Sequence, residues 1–473
     1  MALTLQLKPE INIKATKDAE SYWSERAAKL SSALWLPASK SQQESYSIHH
    51  HGWMSTLKPL AAPVSFDVSL PAASLDIKNN QSATIKATKK IRFYPESELK
   101  YIQALMLYRR AYNLAISRYI EGSHEDDDGK FYDLRPWVKA TCQLEQKEKS
   151  HIYNSLICDN AVREAKTTFF AMAKKNKGKH PEQPGFARLH FKSRKGDIHS
   201  FRMCRMPAGL SPAVRALDEI HLTETVPQEA IDQAITVTFD KGRWFINVQQ
   251  HITTKAETQG KVRCVSVDPG VRTFATCYSP SEVVVAGDKL AKKRLFPLMR
   301  KVDVLLSQRQ RIYNQFAKDI KFDELPQWAR DRLRYIQKRS QTLKTKKEDI
   351  VRDLHQRLAH YLTENYDVIF LPYFETKSMV RRKAGRVIRR NTCRQMLDLG
   401  HYHFKLMLKW MAKKKGKRVV DANESHTSKT LSHSGEVVNN LGGREFINDG
   451  EMRIHRDING ARGIFIKTIL QVT

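Results

Sequence analysis

Long apolar runs are missing from this sequence: none approaches the ~18 residues that a membrane-spanning helix needs. The opening MALTLQLKPEINIKATKDAE also lacks a continuous apolar stretch behind a basic start, so no secretory leader is expected and the chain should stay inside the cell. Cysteine is scarce and scattered. The six residues (Cys142, Cys158, Cys204, Cys264, Cys277 and Cys393) form no CxxC pair, which argues against a Cys-rich metal frame or a disulfide scaffold and for reduced thiols. No period of 20 to 50 residues recurs, so a solenoid is not expected. Acidic residues are in short supply as well. Against 81 Lys and Arg stand 50 Asp and Glu, a formal charge of +31. A field of that sign attracts polyanions, with nucleic acid ahead of a membrane surface and no small-molecule substrate expected.

Length bounds the rest. At 473 residues the chain exceeds one ordinary core, and roughly two to four domains are expected. Residues 1 to about 85 mix a short helical pattern with Pro, Ser and a His triplet at 49 to 51, which reads as a loosely folded extension of unknown role. One tripeptide fixes no coordination geometry, so the triplet is taken as a flexible polar run. ATIKATKKIRFYP alternates apolar and basic residues as a strand does. Leu99, Ile102, Leu105, Tyr108, Tyr112 and Ile116 then recur at helical spacing, and a second helical stretch covers Ile152 to Met172. From HSFRMCRM through AITVTFDKGRWFINVQQHI the period returns to two, with DKG as a turn between strands. Strands on both sides of a helical insertion imply a small barrel with helices let into it. Tyr108, Tyr112 and Trp244 are candidates for stacking on bases, but all three fit the apolar periods and read as core.

Beyond residue 256 strands and helices mix. VRCVSVD, RTFATCY and EVVVAG are short strands close in sequence, as in an antiparallel meander. A long helical hairpin follows, broken at Pro326; YDVIFLP and KRVVDANES are further strands, and Ile458, Ala461, Ile464, Phe465 and Ile469 mark a closing helix. Four carboxylates stand at the ends of these elements: Asp268 in VSVDPGVRTF, Glu375 in VIFLPYFET, Glu424 in VVDANESHTSK and Asp457 in IHRDINGARGI. Phosphodiester cleavage by two Mg²⁺ ions needs hard oxygen ligands, and three carboxylates converging from separate elements supply them. Each acid alone has an ordinary reading. Asp268 before Pro269 and Gly270 forms turns, Glu375 and Glu424 suit solvated loops, and Asp457 suits a helix N-cap. Together, in this order and in so basic a chain, they read better as a metal site.

The series VDPGVRTFAT, IFLPYFETKSM, NESHTSKT and HRDINGARGI resembles the split RuvC nuclease core of the TnpB proteins of transposons and their eukaryotic relatives, the Fanzor proteins. KKIRFYPESELKYIQALMLYRRAYNLAI and VTFDKGRWFINVQQ resemble that family's entry strand, first helix and later barrel strands, so the likeness covers roughly residues 86 to 470. It implies an α/β, RNase H-like (RuvC-like) nuclease domain at 256–473, with a helical hairpin at 295–365 and a degenerate zinc-ribbon insert at 425–455. It also implies a wedge-type β-barrel at 86–98 and 205–255 and a helical recognition lobe at 99–204, leaving the N-terminal extension at 1–85 unmatched. The implied activity is Mg²⁺-dependent DNA cleavage beside a short flanking motif. A transposon-derived, omega-type guide RNA and double-stranded target DNA are the implied partners. Carried over by position, Asp268 and Asp457 are the first and last metal-binding acids, and Gly270 is the glycine that lets the backbone turn beside the first. The middle acid departs from the TnpB pattern, because Pro372 directly follows VIFL. Fanzor-like proteins carry a glutamate just before TSK, which ranks Glu424 ahead of Glu375. That departure leans toward a Fanzor and hence a nuclear protein; a bacterial TnpB would be cytoplasmic.

In that family the insert carries two Cys pairs that hold Zn²⁺. Here Leu431 and Ser434 stand at the first pair, and Asn448 with Gly450 or Glu451 near the second. Leucine cannot ligate, so zinc is not expected even with His426, His433 and His455 close by, and packing or nucleic acid must order the insert. Three basic runs put forward Lys174, Lys175, Lys177, Arg381, Arg382, Arg389, Arg390, Lys413, Lys414 and Lys415 as phosphate contacts, although a charge run is ordinarily a solvated face. Two other readings stand beside the guided nuclease. A domesticated RNA-guided binding protein without cleavage is favoured by the eroded insert and opposed by the full set of acids. A guide-independent RNase H-like nuclease or transposase has no need of the barrel and lobe.

Overall fold

The computed structural model describes residues 3–6, 36, 46–59, 66–69, 83–122, 133–194, 196, 198–203, 220–230, 233–254, 262–316, 320–374, 376–381, 388–422, 430–438, 445–448 and 453–472. The chain divides into two compact units, Thr84–Ile252 and the combination of Met1–Ala83 with Thr253–Thr473. The N-terminal residues contribute four strands to the second of these: β1 (Leu3–Gln6), β2 (Tyr46–His51), β3 (Met54–Pro59) and β4 (Phe66–Ser69). β1 and β4 pair in parallel.

In the unit Thr84–Ile252 the elements run β5 (Ala83–Pro95), α1 (Glu98–Glu121), α2 (Arg135–Glu148), α3 (Ser155–Asn176), β6 (Ile198–Met203), β7 (Ile220–Leu222), β8 (Ile235–Asp240) and β9 (Arg243–Thr254). The five strands form one sheet in the order β6-β8-β9-β5-β7. Lys241 and Gly242, at φ +52° and +82°, make the two-residue turn that joins β8 to β9, as the DKG signal predicts. Helix α1 stops at Gly122 in the left-handed region, and Asn154 caps α3 by accepting from the backbone N–H groups of Leu156 and Ile157. The aromatic rings of Phe93, Tyr101, Phe201 and Trp244 meet in the core, with Tyr101 5.5 Å from Trp244. Tyr108, Tyr112 and Trp244 are buried, which makes them packing residues. Strand β6 coincides with the period-two stretch HSFRMCRM, within the bounds 99–204 given to the helical lobe. It pairs along its whole length with β8, so the backbone ladder places it in the sheet.

The other unit continues with β10 (Cys264–Pro269), β11 (Ala275–Tyr278) and β12 (Val283–Ala286), an antiparallel meander. Helices α4 (Phe296–Tyr313) and α5 (Gln327–Asn365) follow, with Pro326 as the N-cap of α5. Next come β13 (Val368–Pro372), α6 (Thr376–Met379), α7 (Arg390–Leu399), α8 (His401–Lys414), β14 (Arg418–Ala422), the short pair β15 (Phe446–Asn448) and β16 (Arg453–His455), and α9 (Arg456–Val472). The main sheet has seven strands in the order β14-β13-β10-β11-β12-β3-β2, with β13 and β14 parallel to β10 and its neighbours on the other side antiparallel. This mixed α/β sheet is consistent with an RNase H-like core. Its central strands read as unbroken apolar runs because both faces are covered. Val265, Val267, Ile369 and Leu371 pack against Leu354 and Leu358 of α5 and Phe404 and Leu408 of α8. Cys264, Val368 and Phe370 face the opposite way, against Ile458, Ala461, Ile464 and Phe465 of α9.

The extension is therefore corrected in part. Residues 46–59 are a hairpin that lengthens the main sheet through β3 and β12, with Met54 and Leu57 buried. Trp53 fastens its tip by donating to Asp353 on α5 at 2.9 Å. The His triplet lies in β2 at the sheet edge, where backbone pairing holds the strand and the exposed side chains of His49, His50 and His51 are free to be polar. Trimming Leu57→Ala should cost about 2 kcal/mol. A urea titration that leaves the midpoint unchanged would show that the hairpin contributes nothing to this core.

Candidate active site

The geometry begins with alternation along β10. Ser266 and Asp268 point to the face that α9 covers, while Val265 and Val267 point away. The buried Ser266 hydroxyl donates to the Ala461 carbonyl at 2.6 Å, which sets the height of α9 against the strand. Two residues further along, Asp268 meets Gly460. A Cβ placed on Gly460 would stand 2.6 Å from the Asp268 Oδ2, so only glycine leaves the carboxylate its position. Asp457 lies in the first turn of α9, inside the helix and not ahead of it as an N-cap would be. It is one turn before Gly460, and residues three apart share a helix face at about 5–6 Å. The packing thus seats Asp268 against the helix one turn after Asp457. Both are half-buried and reachable from solvent.

The turn after Asp268 is tight for a specific reason. Gly270 donates to the Phe274 carbonyl at 3.0 Å, and a Cβ on it would lie 2.6 Å from the Thr273 oxygen. Phe274 is then driven into the core, where His401 stacks on it at 4.7 Å and His355 lies at 4.9 Å. Burial lowers the pKa of both imidazoles to about 4. Each is therefore neutral at pH 7, and His355 is engaged at Nε2 with the Leu399 carbonyl at 2.9 Å.

The neighbouring parallel strands end level with this site. Ser266 pairs with Phe370, so two residues further along both strands Asp268 is in register with Pro372, which pairs in turn with Ala422. Proline thus occupies the place where the sequence pattern would put a middle acid. Glu424 is two residues past Ala422; Glu424, Glu375 and Arg382 all lie outside the described residues. Among the described residues no group of three His, Cys, Asp or Glu side chains could hold a metal ion. Asp268, seated against Gly460, and Asp457, one turn earlier on α9, carry carboxylate oxygens, a donor type that suits Mg²⁺.

The insert between β14 and α9 has its own small core. Leu431 packs with Ile447 and Val438, joining the two loops that a tetrahedral metal would otherwise clamp. Buried Asn459 on α9 accepts from the Ser432 N–H and donates to the Thr430 carbonyl, both at 2.8 Å. Arg462, one turn later and equally buried, donates to the Ser432 carbonyl, and Arg272 in the turn after Gly270 pairs with Glu445. Sequence reasoning missed Asn459, Gly460 and Arg462, although NGAR gave a signal: polar and Gly residues on an otherwise apolar helix face.

The basic runs are dispersed. Lys174, Lys175 and Lys177 are exposed at the end of α3 and just beyond it; Arg381, Arg389, Arg390, Lys413 and Lys414 are exposed as well. Lys415 instead pairs with Glu364 at 2.6 Å. Near the strand ends Lys405 and Lys409 bind Asp421 at 2.7 and 3.0 Å. Burial opposes ionisation of that carboxyl, but the two ammonium groups hold its pKa below the ordinary value.

Comparison with known proteins agrees with this frame. The Cas12f1-like, TNB domain family matches residues 401–464. TnpB-like protein L79 of Acanthamoeba polyphaga mimivirus is 26% identical over 249 residues, covering 50% of this chain and 44% of that protein. The chain thus spans less than half the length of that relative. A putative transposase, A625R of Paramecium bursaria Chlorella virus 1, is 24% identical over 412 residues, covering 80% and 86%. Among solved structures, a Cas12f1-sgRNA-target DNA complex aligns with TM-score 0.39 and 12% identity over 80% of this chain and 98% of that one. By sequence the chain is thus similar to TnpB-like proteins and putative transposases of large viruses, with a TNB-type segment at 401–464.

Two substitutions probe this geometry. Gly460→Ala displaces the flexible end of Asp268 while improving helix propensity by about 1 kcal/mol. Stability should therefore hold or rise while metal-dependent activity falls about ten- to a hundredfold, checked by thermal melting alongside a nuclease assay. Unchanged activity would place Asp268 outside the chemistry. Asn459→Ala leaves the buried Ser432 N–H without its acceptor and should cost about 2 kcal/mol, with faster amide exchange at Thr430–Leu431 than at β10. Equal protection in the variant would mean that the small core alone holds the insert.

Proposed function

We propose that the protein is an RNA-guided DNA endonuclease of the TnpB/Fanzor type, cutting target DNA beside a short flanking motif. The observation that carries this reading is the seat of Asp268 on Gly460, one helical turn from Asp457. Asp268, Asp457 and Glu424 are the residues that would hold Mg²⁺. Glu424 is preferred to Glu375 because it stands just before TSK, where Fanzor-like proteins carry a glutamate, while Pro372 holds the place after VIFL. Bound there, two Mg²⁺ ions supply Lewis acidity for the attacking and leaving oxygens of phosphodiester hydrolysis. The chain's own part is positional: Ser266 holds the strand to α9, Gly460 leaves room for the carboxylate, and Gly270 allows the tight turn just after Asp268. The excess of positive charge supports partners with phosphate backbones, a guide RNA and the duplex it forms with target DNA, where base pairing reads the sequence. Zinc plays no part in this proposal, since Leu431 packs where a ligand would stand.

The test is to sequence RNA that copurifies with the chain expressed alongside its native downstream flank, then to assay Mg²⁺-dependent plasmid cleavage with Asp268→Ala as control. A discrete RNA, with cutting lost in Asp268→Ala and retained under zinc-specific chelation, is the expected result. Bound RNA without cutting would leave a guided binding protein, and the absence of bound RNA would overturn the guided reading itself.

A further inference from the structure

A cleft of about 610 Å³ opens at the carboxyl ends of β10 and β13, starting at Pro269, the residue after Asp268. Its size suits one small organic group, within the 300–1,000 Å³ typical of ligand sites. Pro269 and Pro372 are part of its wall. Two tyrosines bordering it, Tyr373 and Tyr402, are 63% and 62% exposed, far more than large aromatic side chains need to be when they serve only packing. Cations flank them: exposed Arg381 lines the cleft, and the Lys405 ammonium sits 4.6 Å from the Tyr373 ring centre.

The lining also holds an unusual imidazole. His401 is only 4% exposed and lines the cleft, and neither ring nitrogen makes a well-aligned hydrogen bond among the described residues, the Gly270 backbone being a polar neighbour there. Its ring is immobilised by the parallel stack on Phe274, 8° from coplanar. A neutral imidazole carries one donor and one acceptor, and with the Gly270 backbone able to meet at most one of them, the other is costly to leave unmet in a buried place unless something enters to meet it. His401 is also the first residue of α8, whose N-terminus carries no side-chain cap, so N–H groups of the first turn remain available to an anion.

We propose that this cleft is a nucleotide subsite: it takes one unstacked nucleotide of the strand cut at Asp268, with the base against Tyr402 and Tyr373, its edge toward His401, and a phosphate toward Arg381 and the start of α8. The assignment deepens the nuclease reading and rests on it for the identity of the strand. Aromatic faces supply sequence-tolerant stacking, Arg381 binds the backbone, and His401 presents a buried ring edge to the base.

The test uses the full-length chain, without metal and at raised salt, with a short single-stranded oligothymidylate carrying one 2-aminopurine at successive positions. The expected result is quenching at one register, loss of that quenching with about tenfold weaker binding in Tyr402→Ala, and recovery in Tyr402→Phe. His401→Phe, which keeps the stack on Phe274 and removes the nitrogens, should bind equally tightly but lose preference among bases at that register. An abasic nucleotide placed there should weaken wild-type binding and leave Tyr402→Ala unaffected. Quenching and affinity unchanged in a folded Tyr402→Ala protein would overturn the subsite, as would indifference of the wild type to the abasic position. Because this assay involves no cutting, Tyr402-dependent quenching without plasmid cleavage would retain the subsite and remove the nuclease, and cleavage without Tyr402 dependence would do the reverse.

Discussion

The absence of a side chain at Gly460 is the constraint on which the site depends. Strand β10 is central in a parallel and antiparallel sheet, so its position is fixed by ladders on both sides. Helix α9 must then approach that strand closely enough for the Ser266 hydroxyl to reach the Ala461 carbonyl, and at that distance the next position along meets the carboxylate of Asp268. Any larger residue moves either the helix or the acid. The cost of the glycine, a loss of about 1 kcal/mol in helix propensity, is offset by the apolar packing of Ile458, Ile464 and Phe465 beneath the sheet. Fold and site therefore share one contact, and the chemistry is placed by the helix that closes the core.

How much of this was legible in the sequence depended on whether burial leaves a periodic mark. The strands VRCVSVD and YDVIFLP are buried on both faces and read as short apolar runs; the closing helix has an apolar stripe that no alternative period fits. Asp268 and Asp457 were singled out by their order along the chain at the ends of such elements, since each alone has an ordinary turn or cap reading. Helix α2 went unread because it buries little: Val138, Cys142 and Gln146 are its only described buried residues, too few to make a stripe. The hairpin at 46–59 went unread for a related reason. An edge strand is held through its backbone, and a backbone hydrogen bond leaves no trace in YSIHHH. The register that puts Pro372 level with Asp268 is likewise a property of pairing between strands about a hundred residues apart, which local pattern does not contain.

The insert shows how a metal's structural work can be divided among ordinary contacts. A tetrahedral ion joins two loops through bonds to four side chains and makes folding conditional on its presence. Here the joining is done by apolar contact between Leu431 and Ile447 and by the two hydrogen bonds of Asn459, with Arg462 reaching the same turn. These groups sit on or against α9, the helix that carries Asp457 and Gly460. Holding the insert and holding the acids have become one task, so a residue that loosens the insert acts on the helix that positions the site.

Charge and geometry answer different questions in this chain. An excess of +31 selects polyanions as a class, yet it says little about where they bind, because cations engaged with carboxylates contribute mainly to the protein's own framework. Lys415 is held by Glu364 and Lys405 by Asp421, whereas Arg389, Arg390, Lys413 and Lys414 stand exposed on the unit that carries the acids. The exposed set is diffuse, as suits contact with a backbone whose charge repeats along its length. Chemistry needs the opposite arrangement: a few groups whose positions are fixed by packing. β10 and α9 offer that arrangement, with Asp268 at the end of a central strand and Asp457 in the first turn of the helix packed on it, while the exposed basic residues stand at the surface.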